Sequence, residues 1–316
     1  MNDAGRSQTD WRGVGAYIGL AFGLAWALTG IALSRGARFQ TLTIRTTVLL
    51  AGVMLTPALS AFIVRKWITR EGFSSSGLRF GPWRPYLAVW IGVPLVVIGI
   101  YALTVLLGLG QFDPKLQQLF ARIQEAAARL NTPVPDLPGP LVLGAAIFAQ
   151  TLTFGVVITS LFTFGEEFGW TGYLLVKLLP LGRWRAAVIY GVVWGLWHAP
   201  IIAGGFNYPG YPVIGVMMMC ALTTALALTQ TALWLRSRSV LLTSFFHASV
   251  NSQGLGIIAM TVAGVSPVMG GVTGVVGIAV FAAFGAWLLA RTPDPHAGTA
   301  SKASLSTPPD SSDLID

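Results

Sequence analysis

Long uninterrupted apolar runs alternate along the chain with short polar connections, and eight of the runs are long enough to cross a bilayer. A helix needs about 20 mostly apolar residues to span the hydrocarbon core. The runs cover residues 13–34, 46–64, 86–109, 148–176, 186–204, 211–234, 240–260 and 268–290. Strands of a membrane barrel would instead alternate over short segments, so the pattern predicts an all-α, polytopic integral membrane protein with about eight transmembrane helices. The first run is too long for a signal-peptide core and has no small-residue cleavage site behind it, which predicts a retained helix. In the connection 110–139, Leu116, Leu119, Phe120, Ile123 and Ala127 recur at helical spacing between Asp113-Pro114 and Pro133. That spacing predicts an amphipathic helix at the outer interface.

Three regions follow from this pattern. Residues 1–139 hold three spans and the interfacial helix, residues 140–291 hold the remaining spans, and residues 292–316 form a tail rich in Pro, Ser, Thr and Asp. The tail, with His296 inside it, is expected to be disordered and cytoplasmic.

Composition agrees with the pattern: 54% of the residues are hydrophobic and 10% charged, against about 25% charged in a soluble domain. The net charge of +8 does not indicate a nucleic-acid partner, because Lys and Arg gather where spans end. With cytoplasmic termini, fourteen of these cations lie on inside segments and six on outside loops, so both termini are expected to face the cytoplasm. Cys220 is the single cysteine, which excludes an internal disulfide and a cysteine-built zinc site. Arg outnumbers Lys by 16 to 4 and Ala and Gly are abundant, a composition typical of GC-rich bacterial genes and, with it, of a protein of the cytoplasmic membrane.

The polar exceptions carry the chemistry. Between residues 137 and 293 the only acidic residues are Glu166 and Glu167 and the only histidines His198 and His247, all four within predicted spans. An ionisable group at the centre of a membrane helix costs about 2.5–3.5 kcal/mol on insertion scales, and function is the default reason to retain one. Counted from the Lys/Arg-rich ends, Glu166, His198 and His247 lie about 16, 20 and 14 Å deep at 1.5 Å per residue. Three helices therefore bring a carboxylate and two imidazoles to a similar level, expected to be open to the cytoplasmic face. His247 and Asn251, four apart, share one helix face, and Trp194 lies one turn before His198. Adjacent glutamates differ by about 100° around a helix, which predicts one catalytic and one supporting carboxylate. Trp170, Trp194 and Trp197 are read as packing around the site, and Asn207–Gly210 as a turn on the outer side.

The segments "EEFGWTG", "WGLWHAP" and "HASVN", in this order on successive helices, resemble the CPBP family of intramembrane proteases, also called the Abi or CAAX-protease family. That family carries EExxxR, FxxxH and HxxxN/D motifs. The resemblance covers residues 140–255 and places Glu166, Glu167, His198, His247 and Asn251 at the site. Two positions depart from it: Thr171 stands for the motif arginine and Trp194 for the phenylalanine. Without that arginine, Glu167 is expected to be protonated, paired with a distant base such as Lys177, or solvated.

The resemblance implies an endopeptidase acting on membrane-associated peptides or proteins near the cytoplasmic face. Glu166 would activate a water, His198 would hold it, and His247 and Asn251 would stabilise the oxyanion. In a second scheme Glu166, His198 and His247 hold Zn2+; the cofactor is thus none or zinc. Two other classes remain open from the residues. One is a proton- or ion-coupled transporter, and the other a catalytically silent immunity or scaffold protein of the same fold.

Overall fold

The computed structural model describes residues 8–40 and 43–293. The tail expected over 292–316, His296 included, lies almost wholly outside the described residues, as do Arg6 and Lys302 of the charge count.

The chain is an all-α membrane protein. Among the described residues, five helices are long and apolar enough to cross a membrane: α1 (Trp11–Ser34), α2 (Ile44–Ile68), α3 (Arg84–Leu106), α5 (Pro140–Leu181) and α8 (Pro212–Ser237). Three shorter helices occupy the other apolar runs: α6 (Arg183–Trp197), α9 (Val240–Gly254) and α11 (Val275–Ala290). Sequence-encoded caps start several of them. Asp10 accepts from the Gly13 amide, Thr43 and Thr46 form a reciprocal capping box, and Ser239 accepts from Leu242. Pro85, Pro140 and Pro212 stand in first turns, where the missing N–H costs nothing.

The boundaries differ from the apolar pattern in informative places. The fourth run, expected from 148, begins at Pro140 and continues to Leu181 as one 42-residue helix, widened at Thr151–Gly155 and Trp170–Leu175 by π-turns. The fifth run is broken: α6 ends at Trp197, and a five-residue helix α7 (Ala199–Ala203) restarts behind His198 because Pro200 cannot continue the ladder. The seventh run likewise divides into α9 and the short α10 (Ile257–Met260). Purely apolar stretches carry no periodicity by which such breaks are seen.

The connection after α3 forms the amphipathic helix α4 (Gln117–Leu130), opened by the Asp113 carboxylate accepting from the Gln117 amide at 2.6 Å. Its stripe is spent on the protein: Leu116 and Leu119 join the core, with Phe120 and Ile123 packed against it. A two-residue antiparallel ladder, β1 (Gln111–Phe112) with β2 (Val262–Ala263), ties this connection to the segment after α10, a feature the all-α reading did not include.

Helix contacts rest on small residues. Gly191 and Gly195 of α6 face the backbone of α8, where a Cβ on Gly195 would lie 2.8 Å from the Cys220 amide nitrogen and 2.7 Å from Thr223 Oγ1. Gly165 of α5 lies against α2, where an added Cβ would be 2.7 Å from the Met54 carbonyl. Such small-residue stripes let backbones approach where lipid offers no hydrophobic drive to association.

At one end of the bundle Lys177 pairs with Glu71 at 2.5 Å and Asp10 at 3.2 Å. The Gly13 amide, with Lys177, holds the Asp10 carboxyl below its ordinary pKa. Arg65 is fully buried there and donates to the carbonyls of Gly72 and Gly172 and to Ser75 Oγ. The end of α11 is held at the same end of the molecule, where Arg183 and Arg236 bond Thr292.

Replacing Gly191 or Gly195 with Ala is expected to lower unfolding stability in detergent by about 1–3 kcal/mol, the range for overpacking a close contact. Gly15 and Gly19 of α1, whose Cβ positions are open, should accept Ala with no loss. Thermal unfolding of the four variants measures the contrast, and equal stability of all four would contradict the packing account.

Candidate active site

Glu166 and Glu167 lie in α5 immediately before the widened turn Trp170–Leu175. Such turns recur at functional sites because they re-aim side chains and free backbone carbonyls. Here the Gly172 carbonyl takes the Arg65 guanidinium at 2.9 Å. Thr171, at the position of the motif arginine, donates to the Glu167 carbonyl at 2.9 Å and shares a hydrogen bond with Thr243.

The two carboxylates face different partners, as their angular offset requires. Glu166 Oε2 accepts from Trp194 Nε1 at 2.9 Å. Glu167 Oε1 accepts from His247 Nδ1 at 3.0 Å and from Gln230 Nε2 at 2.7 Å. Behind them, the Tyr190 hydroxyl donates to Gln230 Oε1. Glu167 is therefore paired inside the bundle. Of the three alternatives for Glu167, pairing with Lys177 does not occur, since Lys177 is spent on Asp10 and Glu71.

Both histidines have Nδ1 committed. His198 sits at the break between α6 and α7, with Nδ1 2.9 Å from the Trp194 carbonyl. A carbonyl only accepts, so Nδ1 carries the hydrogen and Nε2 is left for other partners. His247 gives Nδ1 to Glu167 in the same way. Trp194 lies edge-on to His247 with centroids 5.0 Å apart, and Trp197 edge-on to His198 at 4.8 Å.

Glu166, His198, His247 and Asn251 line one cavity of about 130 Å³, walled by Trp194, Trp197 and Leu226. Glu167 is not on the cavity; it stands behind His247 and is fully buried. Reading the residues singly missed the hydrogen-bonding role of Trp194, treated there as packing, and missed Gln230 and Tyr190 altogether. The signal for Gln230 was only a carboxamide between Thr229 and Thr231 in α8, and Tyr190 carried none.

The cavity runs toward Phe206, Asn207 and the exposed Leu255. These residues belong to the end of the bundle opposite Lys177, Arg183 and Arg238. The sequence reading opened the site to the Lys/Arg-rich face; the cavity lining also reaches the other end. Depth alone cannot tell the two directions apart for groups near mid-helix.

Among the described residues, no three His, Cys, Asp or Glu side chains are gathered so as to hold a metal ion. Glu166, His198 and His247 border the cavity without forming that arrangement, and no step below is routed through a metal.

No curated protein matches the chain. Residues 138–253 match the family model described as type II CAAX prenyl endopeptidase Rce1-like. That segment carries both glutamates, both histidines and Asn251, so over these residues the chain is similar to the CAAX-protease family of membrane peptidases.

Proposed function

We propose that this protein is a glutamate-dependent intramembrane endopeptidase that hydrolyses peptide bonds of membrane-associated peptides or proteins. The observation that carries the reading is the convergence of one carboxylate, two imidazoles with Nδ1 committed and one carboxamide on a single small cavity.

In the proposed mechanism a water in the cavity gives one hydrogen bond to Glu166 and the other to His198 Nε2, which keeps its lone pair because Nδ1 holds the hydrogen. Glu166 takes the proton as the water oxygen adds to the scissile carbonyl carbon. The carbonyl oxygen becomes an oxyanion that accepts from Asn251 and from Nε2–H of His247, held as an imidazolium against Glu167. Collapse breaks the C–N bond, and the proton on Glu166 passes to the leaving amine. Peptide and water yield one carboxylic acid and one amine, with no other reactant.

Trp194 fixes the second oxygen of Glu166, while Tyr190 and Gln230 fix Glu167 and, through it, the ring of His247. These three act as positioning residues.

The reading includes eight spans and both termini in the cytoplasm, with the protein multi-pass in the cytoplasmic membrane. The basic loops, Asp10 and Thr292 lie at one end of the bundle, and the cavity lining reaches Asn207 and Leu255 at the other. Cytoplasmic termini, favoured by the charge bias, therefore put the substrate's approach on the opposite face, in place of the cytoplasmic face expected from sequence.

Three outcomes test this. Glu166→Gln should reduce cleavage of a pool of membrane peptides by at least about 100-fold, with wild-type cleavage unchanged by a zinc chelator; cleavage at the wild-type rate in the variant would remove Glu166 as the base. Gln230→Leu and Tyr190→Phe should lower kcat by about tenfold with KM little changed, and a rise in KM alone would assign them to substrate binding. Finally, in a Cys220→Ser background, Asn207→Cys should react with a membrane-impermeant maleimide added to intact cells. Labelling only after permeabilisation would reverse the orientation and return the site to the cytoplasmic side.

A further inference from the structure

A second cleft lies away from the site, between α3, α8, α9 and α11, with a volume of about 380 Å³. Its walls are apolar, built from Val89, Val93 and Val96 of α3, Phe246 of α9, and Phe281 and Phe284 of α11. One end differs. Arg84, in the first turn of α3, and Arg236, in the last turn of α8, both border the cleft and are exposed. Leu288 of the last turn of α11 and Leu242 of the first turn of α9 lie at this same end.

From Arg84 to Val96 the cleft follows twelve residues of α3, about 18 Å at the helical rise. That is roughly the depth of one leaflet of a 30 Å hydrocarbon core. The geometry thus pairs a leaflet-deep apolar slot with a cationic mouth.

Neither arginine has an acidic partner among the described residues. Arg236 spends Nε on Thr292 Oγ1 at 3.1 Å and one terminal nitrogen on the carbonyls of Arg291 and Leu288, so it closes the end of α11 while keeping its charge. Arg84 has no hydrogen-bond acceptor among the described residues. Arg79, Arg238 and Arg291 stand at the same end, and among the described residues the acids at that end, Asp10 and Glu71, are committed to Lys177 and Arg65. A zwitterionic headgroup would leave this charge unmatched, whereas an anionic one neutralises it with charge-assisted bonds.

We propose that this cleft is a binding site for one anionic glycerophospholipid, an acyl chain filling the slot and the headgroup phosphate held by Arg84 and Arg236. The site is independent of the peptidase reading, since none of its residues lines the cavity of Glu166.

Gly92 supplies a clean control. It borders the cleft, and a Cβ there would meet nothing within 4 Å, so Gly92→Leu fills the slot without disturbing the backbone. The experiment is native mass spectrometry of the purified full-length protein, titrated with phosphatidylglycerol or phosphatidylcholine of the same chains, backed by thermal unfolding in detergent without added lipid. Wild type is expected to retain one phosphatidylglycerol with about tenfold preference. Arg84→Gln should remove the preference, and Gly92→Leu should remove binding of both lipids, with lipid-free unfolding unchanged in either. Equal affinity of wild type for the two lipids, or undiminished preference in Arg84→Gln, would overturn the headgroup assignment. Competition by glycerol phosphate alone, with Gly92→Leu still binding, would overturn the acyl-chain assignment and leave only a surface anion site.

Discussion

The contact between Glu167 and His247 is the constraint around which the rest of the structure is arranged. A carboxylate and an imidazole buried in an apolar helix bundle each lose several kcal/mol of hydration, and that loss is tolerable only if each finds the other and further hydrogen bonds besides. Gln230 supplies the further bond to Glu167, and Tyr190 holds Gln230 in turn, from two other helices. Four helices are thereby pinned in register, and His247 is held with a defined nitrogen toward the cavity. Removing any one partner would leave a buried polar group without its complement, so the polar network specifies the arrangement more than it stabilises it.

Close approach of the backbones is what makes that network possible. Glycines at 191 and 195 bring α6 onto α8, and Gly165 brings α5 onto α2. With larger residues there, Tyr190 would not reach Gln230, nor Trp194 the Glu166 carboxylate. The break behind His198 does comparable work. It ends α6 at the residue whose ring is needed and turns the chain away along α7, leaving the imidazole tied to its own helix through the Trp194 carbonyl.

The replacement of the motif arginine by Thr171 acquires a physical reading in this setting. No cation is needed beside Glu167, because an imidazole and a carboxamide already serve it. A guanidinium is nevertheless buried close by, delivered by α2: Arg65 caps the Gly172 carbonyl freed by the π-turn and lies 5.2 Å from the centre of the Tyr173 ring. The charge sits with backbone carbonyls and with Glu71, outside the site, and binds the turn after the glutamates to the loop after α2.

Much was legible in the order of residues. Apolar run length fixed the helical membrane class, because hydrocarbon admits no unsatisfied backbone. The scarcity of ionisable groups in the second half picked out Glu166, Glu167, His198 and His247, because each is too costly to keep idly, and four-residue spacing joined Asn251 to His247. Tertiary structure alone decided which glutamate faces the cavity, since neighbouring residues on a helix carry the same chemistry and only the packing of other helices tells them apart. It also decided the partner of Glu167, the hydrogen bonds of Trp194, Gln230 and Tyr190, and which residues line the cavity. Those depend on contacts between residues 28 to 80 positions apart, and helical periodicity relates residues only to neighbours a turn or two away.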